Sequence, residues 1–92
     1  MGQPEHNGGC DALDFLRERL AHGNDCLMQG NARGALTYYD SALASFALQR
    51  DDAHLRETWH ALWNNKALAH QQLNETMKAQ HAAMVANTLL GA

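Results

Sequence analysis

The sequence predicts an all-α fold, and three observations carry that prediction. Its apolar residues recur three, four and seven positions apart rather than in alternation, the spacing of helices with one buried face. One proline, Pro4, and two each of phenylalanine, tyrosine and tryptophan supply too little turn and strand chemistry for a sandwich or barrel of 92 residues. Hydrophobic residues at 46% and charged residues at 18% suit one small core and one domain. That domain is expected over residues 11–92, behind a disordered tail of residues 1–10 containing Pro4, Gly8 and Gly9.

Four helices follow in order. Asp11 caps the first and Asp14 sits in its first turn, where a carboxylate meets the positive end of the helix dipole. Leu13, Leu16, Leu20 and Leu27 form its apolar stripe as far as about Gln29. Gly30 accepts the left-handed backbone of a helix end, and Asn31 caps the next start. The second helix buries Ala35, Tyr39, Ala42 and Phe46, with Leu36 and Leu43 beside them, and fades near Gln49 and Arg50. Asp51 and Asp52 cap a third, marked by Leu55, Trp59, Leu62, Trp63 and Leu73. Asn74 is expected to cap the fourth, whose stripe is Ala79, Ala83, Ala86 and Leu90. The breaks at Gly30 and Asn74 are short, so each joins antiparallel neighbours, and the chain reads as two helical hairpins in series.

Charge and composition exclude several function classes. Seven basic against ten acidic residues give a net charge of −3, and no basic cluster offers a nucleic-acid or polybasic membrane footprint. No apolar run reaches the ~18 residues of a membrane span. The first ten residues lack the apolar core of a secretory leader. Gly2 invites acylation, but His6 stands where the myristoylation pattern wants serine or threonine. Cys10 and Cys26 are too few for a disulfide framework, so free thiols in the reducing cytoplasm are expected.

Small residues carry the sharpest signal. Gly23 interrupts the first helix at a cost of roughly 1 kcal/mol relative to alanine, which a close helix–helix approach would offset. A shift of 44 residues superposes Gly23 on Ala67, Ala35 on Ala79 and Ala42 on Ala86. This spacing resembles the tetratricopeptide repeat, a helix–turn–helix unit with small residues and aromatics at these intervals. The stretch HGNDCLMQGNARGALTYYDSAL, His22 to Leu43, matches best. The family's tryptophan, preceding leucine and closing proline are replaced there by Arg19, His22 and Ala47. The second unit, about His60 to Asn87, keeps the tryptophan as Trp63 but has Ala83 at the usual aromatic. The usual period is ~34 residues, so about ten extra fall between the units, near Phe46–Arg56. The resemblance covers about 75 of the 92 residues and implies a fragment of right-handed α-solenoid.

What it implies about function is binding rather than catalysis, without metal or cofactor. The first helix of each unit would line a concave groove, here Arg17, Leu20, Ala21, Asn24, Leu27 and Met28. The third helix would add Ala61, Asn64, Asn65, Leu68 and Gln72. The implied partner is a peptide or amphipathic helix of another protein. A subfamily of co-chaperones clamps the Glu-Glu-Val-Asp tails of heat-shock chaperones, and Asn24 and Asn65 stand at its two asparagine positions, in the strings GN and NNKA. Its lysine is Leu20 here, and its remaining basic residues come from a third unit. Arg17 supplies part of that charge.

Other chemistry is weakly signalled. His54 and His60 are six residues apart and His70 and His81 eleven, neither being the spacing that aims two imidazoles from one helical face at a metal. His22 is alone in its helix. Cys26 falls on an inner stripe, as a small core filler does. No phosphate loop or paired-carboxylate motif appears. On the last helix the alanine stripe leaves Met77, His81, Met84, Val85 and Thr88 on the far side, a semi-apolar terminal face where methionines suit a partner or a second copy.

Overall fold

The computed structural model describes the backbone of residues 8–45 and 53–91 and the side chains of 13–45 and 55–89. Four α-helices fill these ranges: α1 (Gly8–Met28), α2 (Ala32–Ser45), α3 (Ala53–Gln72) and α4 (Thr76–Gly91), with no strand among the described residues. The all-α expectation holds. α1 begins at Gly8, so the last three residues of the expected tail are helical. Phe46, the expected fading of α2 at Gln49 and Arg50, and the cap at Asp51 and Asp52 lie outside the described residues, as do the side chains of Asp11 and Leu90.

The two turns are the same object, built twice. Asn31 N–H bonds the Cys26 carbonyl at 2.8 Å and Gly30 N–H bonds Leu27 at 3.1 Å. Forty-four residues later Glu75 N–H bonds His70 at 2.9 Å and Asn74 N–H bonds Gln71 at 3.0 Å. Both sets are the paired bonds that close a helix with one left-handed residue. That residue is Gly30 (φ 81°) in the first turn and Asn74 (φ 61°) in the second. Asn74 therefore ends α3 rather than capping α4, a correction with a clear cause. Asparagine is the residue after glycine that best tolerates the left-handed region, and it occupies the position equivalent to Gly30. Glu75 takes the starting position instead, its carbonyl accepting from Ala79 N–H at 2.9 Å. In the first turn Asn31 caps as expected, its Oδ1 accepting from Gly34 N–H at 3.0 Å.

Packing is closest within each hairpin, α1 on α2 and α3 on α4, and α3 also lies against both α1 and α2. Leu16, Ala35, Tyr39, Ala42, Leu55, Trp59, Leu62 and Ala69 form a continuous core between them. Gly23 has the role its cost demanded, with a different neighbour. A Cβ there would lie 2.7 Å from Tyr39 Cδ1 and 2.9 Å from Cζ, so glycine makes room for a fully buried ring rather than for an alanine. On α4 the inner stripe is Ala79, Ala82 and Ala86, all buried, and Ala67 on α3 is buried as well. Ala83 is only half-buried. Both Ala82 and Ala83 fit helical spacing from Ala79 and Ala86, and the rotation of α4 about its axis selects Ala82.

Candidate functional site

α1 and α3 run side by side in the same direction. Asn65 Nδ2 donates to Asn24 Oδ1 at 2.8 Å, and further along Gln72 Nε2 reaches the Leu27 carbonyl at 3.5 Å. The two asparagines singled out in the sequence are thus in direct contact. Asn24 Oδ1 also accepts from the buried Tyr39 hydroxyl at 2.6 Å, so one amide oxygen ties α1, α2 and α3 together. Two donors on that oxygen fix the orientation of the Asn24 amide. Burial pushes the Tyr39 hydroxyl up to about 12; the nearby Cys26 sulfur adds to the rise, and a hydrogen bond with Asn65 opposes it. Burial of Tyr39 also explains why its hydroxyl takes a partner at all, since an unpaired buried O–H is costly.

Around this amide pair the surface is mixed. Leu20 and Leu27 are half-buried, whereas Met28 is 84% and Leu68 43% exposed. Arg17, Ala21, Asn64 and Gln72 are exposed, and Ala61 is half-buried. Arg17 is the cation among these groove positions. On α4, Met77 is 84% and Met84 67% exposed, His81 and Thr88 are exposed, and Val85 is half-buried.

A second constellation went unread in the sequence. A cleft of about 430 Å³ opens between α2, α3 and α4, lined by Asp40, Lys66, His70, Met77, Lys78 and His81, with Ala82 at its floor. Lys66 Nζ is 2.7 Å from Asp40 Oδ1 and 4.8 Å from the centroid of the Trp63 ring. His81 meets the same indole edge-on at 6.2 Å. His70 Nδ1 donates to Glu75 Oε1 at 2.7 Å. That hydrogen bond holds the Glu75 carboxyl below its usual range; burial works against it, and the charges of Lys78, His70 and Arg33 add to the lowering. The signal for half of this set was present: Trp63, Lys66 and His70 stand three and four apart on one helical face. The acid that completes it, Asp40, comes from another helix.

Two further histidines, His60 and His22, make packing contacts between helices. His60 Nδ1–H donates to the Ala86 carbonyl at 3.0 Å, fastening α3 to α4, and His22 stacks on Tyr38 at 5.3 Å. Arg19 lies over Phe15 and within 5.9 Å of the Tyr38 ring centroid. Cys26 is a half-buried free thiol against the core. Among the described residues no three histidines, cysteines or carboxylates converge as metal ligands, and no helix is long and apolar enough to cross a membrane. No protein-family model matches this chain, and no curated protein or solved structure matches it.

Proposed function

We propose that the chain is a tetratricopeptide-like interaction module of two hairpins, binding a peptide or amphipathic helix of a partner protein on the surface shared by α1 and α3. The observation that carries this reading is the recurrence of the whole turn, bond for bond, at an offset of 44 residues. It supports reading α1 and α3 as equivalent helices of two repeats, and equivalent parallel helices would present one continuous outward surface. Exposed Met28 and Leu68 stand one helical turn beyond the part-buried Asn24–Asn65 amide pair, an arrangement that suits a ligand with both apolar side chains and backbone polar groups. The role is binding without catalysis or cofactor, and the free thiol of Cys26 suits a cytoplasmic setting.

The contact between Asn24 and Asn65 favours a second reading, a minimal clamp for the acidic C-terminus of a heat-shock chaperone, because it sets side by side the two amides that such a clamp uses. Charge favours the first. Leu20 stands where the clamp has lysine, and Arg17 is left to meet a doubly acidic tail. A third reading, self-association through Met77, Met84 and Val85, draws on the exposure of the two methionines.

Selection of displayed random peptides against the domain, followed by amide-shift mapping on the labelled chain, tests the first reading. Selected peptides should perturb Met28, Asn65 and Leu68 and lose binding with Leu68→Asp. A pentapeptide ending in Glu-Glu-Val-Asp should bind far more weakly. Selected peptides that map elsewhere, or tight salt-sensitive binding of the pentapeptide, would reject the first reading, the latter in favour of the clamp.

A further inference from the structure

Lys66 and Leu68 are two residues apart on α3, which turns their side chains about 200° from each other. One helix therefore contributes to two different surfaces: Leu68 to the α1/α3 side, and Lys66 to the cleft under α2 and α4. The cleft concentrates two of the seven basic side chains of a chain whose net charge is −3. Lys66 and Lys78 line it against the Asp40 carboxylate, and Glu75, bonded to His70, adds a second carboxylate at its edge. Lys66 is also held ready. Its side chain is only 20% exposed, so its stem is packed, and its ammonium is fixed between the Trp63 face and Asp40. An ammonium has three N–H donors, and Asp40 accepts from one of them. Asp40 itself is 55% exposed on the rim, so this cleft already holds a carboxylate against Lys66, supplied by the chain itself. Lys78 is exposed nearby, and Met77, 84% exposed, gives the cleft an apolar wall beside its charges, with buried Ala82 beneath.

We propose that the cleft between α2, α3 and α4 binds an acidic peptide segment of a partner protein, its carboxylates meeting Lys66 and Lys78 and an adjoining apolar side chain lying against Met77. The cleft, about 430 Å³, is open to solvent, a shape that suits a peptide segment lying across it rather than an enclosed small molecule. An inorganic anion would engage the lysines and leave the apolar wall without a partner. Charge complementarity selects the acidic peptide, and the wall selects one with an aliphatic residue among its acids. Asp40 competes with the incoming carboxylate for Lys66. Its removal strengthens binding, an effect opposite to that expected if the Asp40–Lys66 pair only supported the fold.

The test is a titration of the ¹⁵N-labelled full chain with the capped peptide Glu-Glu-Leu-Glu-Glu, its all-glutamine counterpart and inorganic phosphate. The two indole N–H signals make the reading internal, because Trp63 borders the cleft and Trp59 is buried in the core. The acidic peptide should shift the Trp63 signal saturably and leave Trp59 in place, and added salt should weaken the effect. Lys78→Glu should weaken binding by about two- to fivefold or more, the scale of an exposed ion pair. Asp40→Asn should tighten it. Both positions are solvent-exposed, so neither substitution threatens folding. An unmoved Trp63 signal up to millimolar peptide would overturn the proposal, as would equal binding of the glutamine peptide or unchanged affinity in Asp40→Asn. Displacement of the peptide by phosphate at matching concentration would replace it with a site for small oxyanions.

Discussion

Replacing Gly23 by alanine sets two opposing effects against each other. Helix propensity favours alanine by about 1 kcal/mol at an interior position. The new methyl, however, would sit 2.7 Å from Tyr39 Cδ1 and 2.9 Å from Cζ. Tyr39 cannot swing away freely, because its ring is fully buried and its hydroxyl is held by Asn24 at 2.6 Å. Forcing a methyl into a packed core costs about 1–3 kcal/mol. Displacing the ring also sacrifices a buried hydrogen bond worth about 1 kcal/mol. The net expectation is destabilisation by about 2 kcal/mol, a fall in Tm of roughly 8–16 °C for a domain of this size. Urea and thermal unfolding followed by far-UV circular dichroism measure it. In a Tyr39→Leu background the obstruction is gone, and Gly23→Ala should then stabilise by up to about 1 kcal/mol. A Gly23→Ala chain more stable than wild type would refute the reasoning, since propensity alone would then decide the site.

Two further outcomes follow from the turns and the titrating groups. Asn74→Gly should stabilise by about 0.5–1 kcal/mol, because Asn74 holds a left-handed φ of 61° that glycine adopts without strain, whereas Gly30→Ala should cost at least as much; denaturation midpoints check both. Stability should also fall at both pH extremes for identifiable reasons. The Tyr39 hydroxyl is raised to about 12 in the fold, so its contribution is complete below the ordinary value of 10 and is lost as pH climbs toward about 12; Tyr39→Phe should remove that alkaline loss and the late phenolate absorbance step with it. Glu75 is lowered in the fold, so its contribution is present above 4.5 and is lost as pH drops through the lower folded value; Glu75→Gln should flatten the acid limb of a stability–pH curve.

These effects are local enough that much of the fold was legible beforehand. Gly30 and Asn31 announced the first turn, and the 44-residue offset of Gly23, Ala35 and Ala42 announced that it would be repeated. Asn74 was read as a cap because asparagine serves both at helix starts and at left-handed helix ends, and only its equivalence to Gly30 separates the two uses. The alanine stripe of α4 was misread by one position for a similar reason: adjacent alanines satisfy the same period, and packing alone selects between them.

The sequence by itself determined the helices, their breaks and the small positions where they meet, because these depend on contacts between residues three, four or five apart. The tertiary structure decided which polar groups face one another. Asn24 finds Asn65 across 41 residues, and Asp40 finds Lys66 across 26. Such pairings depend on how one hairpin rotates and slides against the next. That relation is set by the volumes of Leu16, Tyr39, Leu55, Trp59 and Leu62 filling one core together.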